Sequence, residues 1–205
     1  YAILQAYERI GDPAYLEAAQ RAITYLLSHS TTNERQGPYG GGECRYVVEG
    51  DHIKLGGAGL ALLMLVEYMD ATGRLEYLPQ AQAFARFLVA MQRDSGEFIY
   101  FAPLEPGGES SGEDSAYYPG EAILGLMRLY ALDSDDRWLQ TARRGADWLI
   151  EVRDAGKDST TLANDHWLMI GLSYLVKTTA DTKYVEHSLA LARAVSVQQG
   201  RTNQH

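Results

Sequence analysis

Two acidic residues, each opening an apolar helical run, carry most of the chemistry in this sequence. Glu121 sits in Tyr117-Tyr118-Pro119-Gly120-Glu121-Ala122, and Asp165 leads Asp165-His166-Trp167. A carboxylic acid among aromatic neighbours is a candidate general acid, because desolvation raises its pKa. A second carboxylate completes the pair that glycoside hydrolysis needs, about 5–5.5 Å away for retention or about 6.5–9.5 Å for inversion. His166 adds a titratable base, while Tyr117, Tyr118 and Trp167 offer faces for stacking a sugar, and the two tyrosines add hydroxyls for handling a proton. Asp51-His52-Ile53-Lys54 repeats the Asp-His pairing ahead of another apolar run, and Lys54 or Arg45 is a cation suited to a carboxylate-bearing substrate. Each acid also has a plainer role: Glu121 as a first-turn carboxylate on the helix dipole, Asp165 as an N-cap. On the first of these, Glu121→Gln changes stability by at most ~1 kcal/mol.

Several other chemistries find no footing. No spaced His or carboxylate ligand set is present, so no metal is expected, and no phosphate loop, dinucleotide fingerprint or nucleophile elbow calls for a cofactor. Cys44 is the single cysteine, which excludes a disulfide framework, and no base accompanies it. Glu105, Glu109, Glu113 and Asp114 lie in a Gly/Ser-rich stretch and read as a solvated lid.

What must position Glu121 and Asp165 is a repeat. Four segments each hold an apolar helix, a tight polar turn, an aromatic anchor and a second helix. The anchors Tyr15, Tyr77, Trp138 and Tyr184 stand 62, 61 and 46 residues apart. The hairpins cover about 1–28, 59–93, 120–153 and 166–199, within a single repeat domain spanning 1–205. First helices such as Gly59–Tyr68 are apolar nearly all round and predict burial on most faces; second helices are striped. An inner row of helices covered by an outer row satisfies both patterns. Connections 28–58, 94–119 and 154–165 all lead into inner helices, so they gather at one end, and Cys44–Val48 and Glu97–Phe101 read as strands there. Eighteen residues before the last three anchors stand Gly59, Gly120 and His166. Departures from the repeat at these positions are where function is grafted.

The 205 residues are 46% hydrophobic and 22% charged, a globular composition. A net charge of −9 without a basic run argues against nucleic acid and anionic membranes as partners. No apolar stretch is expected to span a membrane. The chain starts inside a helical pattern, the expectation being a fragment or processed form, with cytoplasmic and exported locations both open.

This plan resembles the α/α toroid superfamily, in which helical hairpins circle a funnel. The resemblance implies an all-α fold with alternating inner and outer helices, here an incomplete toroid completed by further hairpins of the same protein or another copy. Members include six-hairpin glycosidases, sugar epimerases and polysaccharide lyases, with sites where the inner helices begin. The resemblance therefore implies a carbohydrate substrate and glycoside hydrolysis by paired carboxylates, Glu121 as acid and Asp165 as base or nucleophile. Two alternatives stay open: uronate epimerase- or lyase-type chemistry using His166 and a Tyr, and a non-catalytic toroid that binds a glycan or peptide. A lipid-cyclising branch shares the toroid, and Gln92 to Phe98 is similar to its repeat ending, but no Asp-rich initiating motif accompanies it.

Overall fold

The computed structural model describes residues 1–37, 40–50, 52–103 and 115–202. Eight α-helices occur among them: α1 (Ala2–Ile10), α2 (Pro13–Ser28), α3 (Leu55–Thr72), α4 (Leu78–Ala90), α5 (Tyr118–Asp133), α6 (Asp136–Trp148), α7 (His166–Thr179) and α8 (Thr182–Thr202). A π-helical turn, Leu149–Arg153, extends α6. Four strands, β1 (Ser30–Gly37), β2 (Gly40–Glu49), β3 (His52–Lys54) and β4 (Phe101–Pro103), form one antiparallel sheet in chain order. The strand expected over Glu97–Phe101 reduces to a bridge between Gln92 and Phe98, followed by the short β4.

Local signals set the turns. Asp12 and Asp135 cap α2 and α6 by accepting from the Ala14 and Arg137 amides, and Pro13 occupies the first turn, where its missing N–H is harmless. Each odd-numbered helix ends in a left-handed residue: Gly11, Gly73, Ser134 and Ala180. This reverses the chain sharply enough for the next helix to fold back. The anchors Trp138 and Tyr184 are fully buried in the third position of their helices. Each also has its polar atom bonded: Trp138 Nε1 donates to Asp133 at 3.1 Å and the Tyr184 hydroxyl to Asp147 at 2.7 Å. Tyr77 stands edge-on to Tyr68 at the end of α3.

The inner helices pack side by side in the order α1, α3, α5, α7, with the even-numbered helices behind them. α3 and α5 are buried on most faces because neighbours flank both sides, whereas α1 and α7 bury a single stripe. α3 corrects the expectation of no membrane-length apolar run: with 18 residues and a mean hydropathy of 1.2 it qualifies by length and composition. Yet 67% of it is buried inside the molecule, which explains its apolarity as that of a core helix.

The inner helices come closest at glycines. A Cβ on Gly59 of α3 would stand 3.0 Å from the Ala122 nitrogen of α5. On Gly120 of α5 it would stand 2.4 Å from the Leu168 nitrogen of α7. The two positions that the repeat aligns therefore perform one job, letting the next inner helix begin against bare backbone. Farther along, Arg128 of α5 pairs with Glu67 and Asp70 of α3 at 2.6 and 2.8 Å and donates to the Tyr174 hydroxyl of α7 at 3.1 Å. That bridge ties the three helices together at their other end.

This packing predicts a graded response to alanine. Gly120→Ala is expected to destabilise by about 1–3 kcal/mol or more, since the Leu168 backbone and the capping carboxylate of Asp165 lie in the way, and Gly59→Ala by less. Gly57→Ala, whose Cβ would meet only Val47 at 3.9 Å, should be neutral or stabilising by up to about 1 kcal/mol. Urea unfolding midpoints of the three variants check the order.

Candidate active site

Glu121 and Asp165 meet where α5 begins. Pro119 and Gly120 open the helix and place Glu121 in its first turn, but that turn is not on the surface: Glu121 is 6% exposed. Its Oε2 would stand 2.5 Å from a Cβ on Gly56 of α3, a space only glycine leaves. Asp165 is close enough for its charge to act on Glu121, and its Oδ1 would come within 2.6 Å of a Cβ on the adjacent Gly120. Oε2 is buried without a hydrogen-bond partner. Burial, and then the charge of Asp165, push the Glu121 carboxyl up to about 7.

Asp165 is fully buried and fully engaged. Oδ1 accepts from the Leu168 amide at 2.9 Å, capping α7, and Oδ2 faces Arg153 at 3.3 Å. Burial pushes its carboxyl up to about 6, against the opposing pull of the Leu168 amide and Arg153. The orphaned acid thus holds its proton more tightly than the satisfied one. Arg153 arrives from the π-helical turn and also pairs with the buried Asp154 at 2.7 Å, which His187 of α8 and Lys157 contact at 3.0 and 3.4 Å. Burial works against the charge of Asp154, but the bonds from His187 and Arg153 prevail and hold it well below the usual carboxylate range.

Aromatic rings gather beside this pair. His166 is exposed, with its ring 5.7 Å from Tyr117 and 5.0 Å from Trp167, and Trp167 meets Tyr1 edge-on at 5.9 Å. Tyr118 is half-buried, packed on Phe101 of β4 at 5.9 Å and against Gly56. Lys54 immediately precedes α3 near Tyr118 and pairs with Glu49 at 2.7 Å. His52 lies in β3, in register with Glu49 and Pro103. Arg45 is committed elsewhere: its guanidinium donates to Ser30 Oγ at 2.6 Å and to the Leu27 carbonyl at 3.4 Å, at the end of α2. Asp51 lies outside the described residues, as do Glu105, Glu109, Glu113 and Asp114. Among the described residues no three His, Cys, Asp or Glu side chains converge as a metal site. Sequence reasoning passed over Arg153 and Asp154; the adjacent unlike charges at the end of an outer helix were the available signal.

No protein-family model matches the chain, and no curated protein matches its sequence. Solved structures do. A family 76 glycoside hydrolase (mannosidase) from Bacteroides thetaiotaomicron superposes with a TM-score of 0.65 at 20% identity, covering 90% of this chain and 54% of that one. A family 76 α-mannanase from the same organism gives 0.68 at 17% identity, covering 94% and 53%. Cellobiose 2-epimerase from Bacillus thermoamylovorans gives 0.72 at 16% identity, covering 95% and 57%. The chain spans about half the length of the structures it matches. These likenesses establish the fold as α/α-toroid type, over the hairpins present here, with a small antiparallel sheet added.

The burial of Glu121 overturns its reading as an exposed first-turn carboxylate and changes what Gln should do there. The native state keeps the proton up to about pH 7, while the unfolded chain releases it near the ordinary 4.5. Native protein then binds more protons in this window, so stability falls as pH rises through it. Glu121→Gln removes the penalty. The variant's stability relative to wild type is expected to rise by up to about 3 kcal/mol between pH 4.5 and 7 and to level off above, as read by urea unfolding across that range.

Proposed function

We propose that this chain belongs to a carbohydrate-active enzyme that hydrolyses a glycosidic bond, with Glu121 as the proton donor. The observation that carries the reading is the buried Glu121 carboxyl, orphaned at Oε2 and holding its proton to near neutrality beside a second carboxylate. An acid so placed is protonated when a sugar oxygen departs and can surrender the proton to it. Asp165 contributes twice. Its negative field helps to keep the proton on Glu121, and the Leu168 amide and Arg153 favour its own ionised form. For Asp165 to act on water or sugar, the 3.3 Å contact with Arg153 is the one to open, since the Leu168 amide bond caps the helix. Tyr117, Tyr118 and Trp167 supply faces for the sugar rings. The structural neighbours, a family 76 mannosidase, a family 76 α-mannanase and a cellobiose 2-epimerase, support a carbohydrate substrate.

The closure of Asp165 also favours a second reading. His166 is the exposed titratable group, in ring contact with Tyr117, and a His–Tyr pair suits proton removal from a uronate carbon in epimerisation or elimination.

Assays of the full-length protein on neutral and uronate-containing oligosaccharides separate these readings. Hydrolysis through the carboxylate pair predicts a new reducing end, a loss of about 10²–10⁴-fold in kcat for Glu121→Gln and for Asp165→Asn, and a modest effect of His166→Ala. An unsaturated or epimerised uronate product, lost on His166→Ala and retained in Asp165→Asn, would transfer the assignment to the second reading. Saccharide binding with no turnover would leave a glycan-binding toroid.

Arg153 has its own expected signature. Arg153→Met strips the cation from two buried carboxylates and should cost about 3–5 kcal/mol, while Arg153→Lys, which keeps the charge, should cost less. In the Lys variant the weaker hold on Asp165 should move the acid limb of the kcat/KM profile to higher pH.

A further inference from the structure

A concavity opens beside Asp165, to which its wall residue Arg153 connects it. It encloses about 490 Å³, within the roughly 300–1,000 Å³ of small-molecule sites, between the turn after α4 and the π-helical turn after α6. Glu121, Tyr118, His166 and Trp167 do not line it. Its wall includes the rings of Tyr100 and Trp148 and the charged groups of Arg93, Glu97, Arg153 and Lys157. Three cations and one carboxylate line it, and the carboxylate, Glu97, pairs with Arg93 at 3.2 Å. Arg153 and Lys157 are balanced from behind by Asp154, and Arg153 also by Asp165; both acids are wholly buried, so the cations form the cavity surface. Lys157 and Arg93 stay 37% and 58% exposed and can reach a ligand.

The cavity is built on fixed parts. The turn bearing Arg93 and Glu97 closes with the Arg93 amide donating to the Glu97 carbonyl at 2.8 Å, and the Ile99 amide donates to the Met91 carbonyl at 2.7 Å. Gly96, at φ 95°, lies so close to α6 that a Cβ would stand 2.5 Å from the Arg144 carbonyl oxygen. Arg144 in turn donates to the Arg93 carbonyl at 3.1 Å. Turn and helix are thus fastened before any ligand arrives, which lowers the ordering cost of binding.

We propose that this cavity binds an anionic saccharide unit, with its ring against Trp148 and Tyr100 and its acidic group on Lys157 and Arg93. The saccharide part rests on the carbohydrate reading of the Glu121 site; the anionic part rests on the cavity alone. Because Arg153 lines the cavity and faces Asp165, an occupant is felt at the neighbouring pair.

The test is a fluorescence titration of the full-length protein carrying Glu121→Gln, to prevent turnover, and Trp167→Phe. Of the three indoles in this sequence Trp138 is fully buried, so Trp148 is the responsive one, and the signal read is the part lost in Trp148→Phe. Three oligosaccharides of equal length and linkage serve as probes: one neutral, one ending in a uronate, one carrying a phosphate. The expected result is saturable binding of an anionic probe at least tenfold tighter than the neutral one, weakened at least tenfold by Lys157→Met or by Arg93→Met. Whether uronate or phosphate wins identifies the source of the charge. Equal affinity for neutral and anionic probes overturns the proposal, as does anionic binding that survives both variants or no binding at all. Lys157 and Arg93 are partly exposed, so circular dichroism melts of these variants should match the parent. Since no turnover is needed, the outcome is independent of whether the wild type hydrolyses any glycan.

Discussion

The start of α5 is wedged between the starts of α3 and α7 with no room for a side chain at Gly56, Gly59 or Gly120. That steric constraint organises the rest. It brings the first turn of α5 against the cap of α7, so a carboxylate that would sit in water on an isolated hairpin is enclosed. It puts Asp165 on both duties, as helix cap and as a charge that acts on Glu121. The raised affinity of Glu121 for its proton is a consequence of packing first and of electrostatics second.

The two acids differ because their bonding differs. Asp165 is the more deeply buried, yet an amide and a guanidinium compensate its charge, while Oε2 of Glu121 has nothing. Burial alone would order them the other way. The Leu168 amide and Arg153 separate them, and Arg153 is delivered by one π-helical turn at the end of α6. Such turns reposition side chains relative to a regular helix and recur at functional sites. Here the turn joins three features: the compensated cap of α7, the buried Asp154 with its His187 and Lys157 contacts, and the wall of the cavity lined by Arg93 and Lys157.

Opposite ends of the inner helices obey different rules. At the far end Arg128 meets Glu67, Asp70 and Tyr174, so the buried acid Glu67 has a cation on it and the three helices are bridged. At the near end the acid of α5 is left unbridged. The fold thus pairs one buried carboxylate and leaves another orphaned.

Much of this was legible in the residues. Apolar runs with capping Asp, turn Gly and spaced aromatics determined helical hairpins, since caps and periodicity act within a turn or two of the chain. The register of Gly59, Gly120 and His166 falls within the first five residues of the inner helices, with only His166 at a start itself, and Glu121 and Asp165 were visible as breaks in that register. What sequence could not reach was set by contacts between segments distant along the chain. The burial of Glu121 depends on Gly56 of another helix, and Arg45, a free cation on paper, is spent on Ser30 and Leu27. The apolar length of α3 was ambiguous until its neighbours accounted for it. Local structure is encoded by near neighbours, whereas pKa, accessibility and pairing depend on whatever the tertiary fold brings alongside, and only packing decides that.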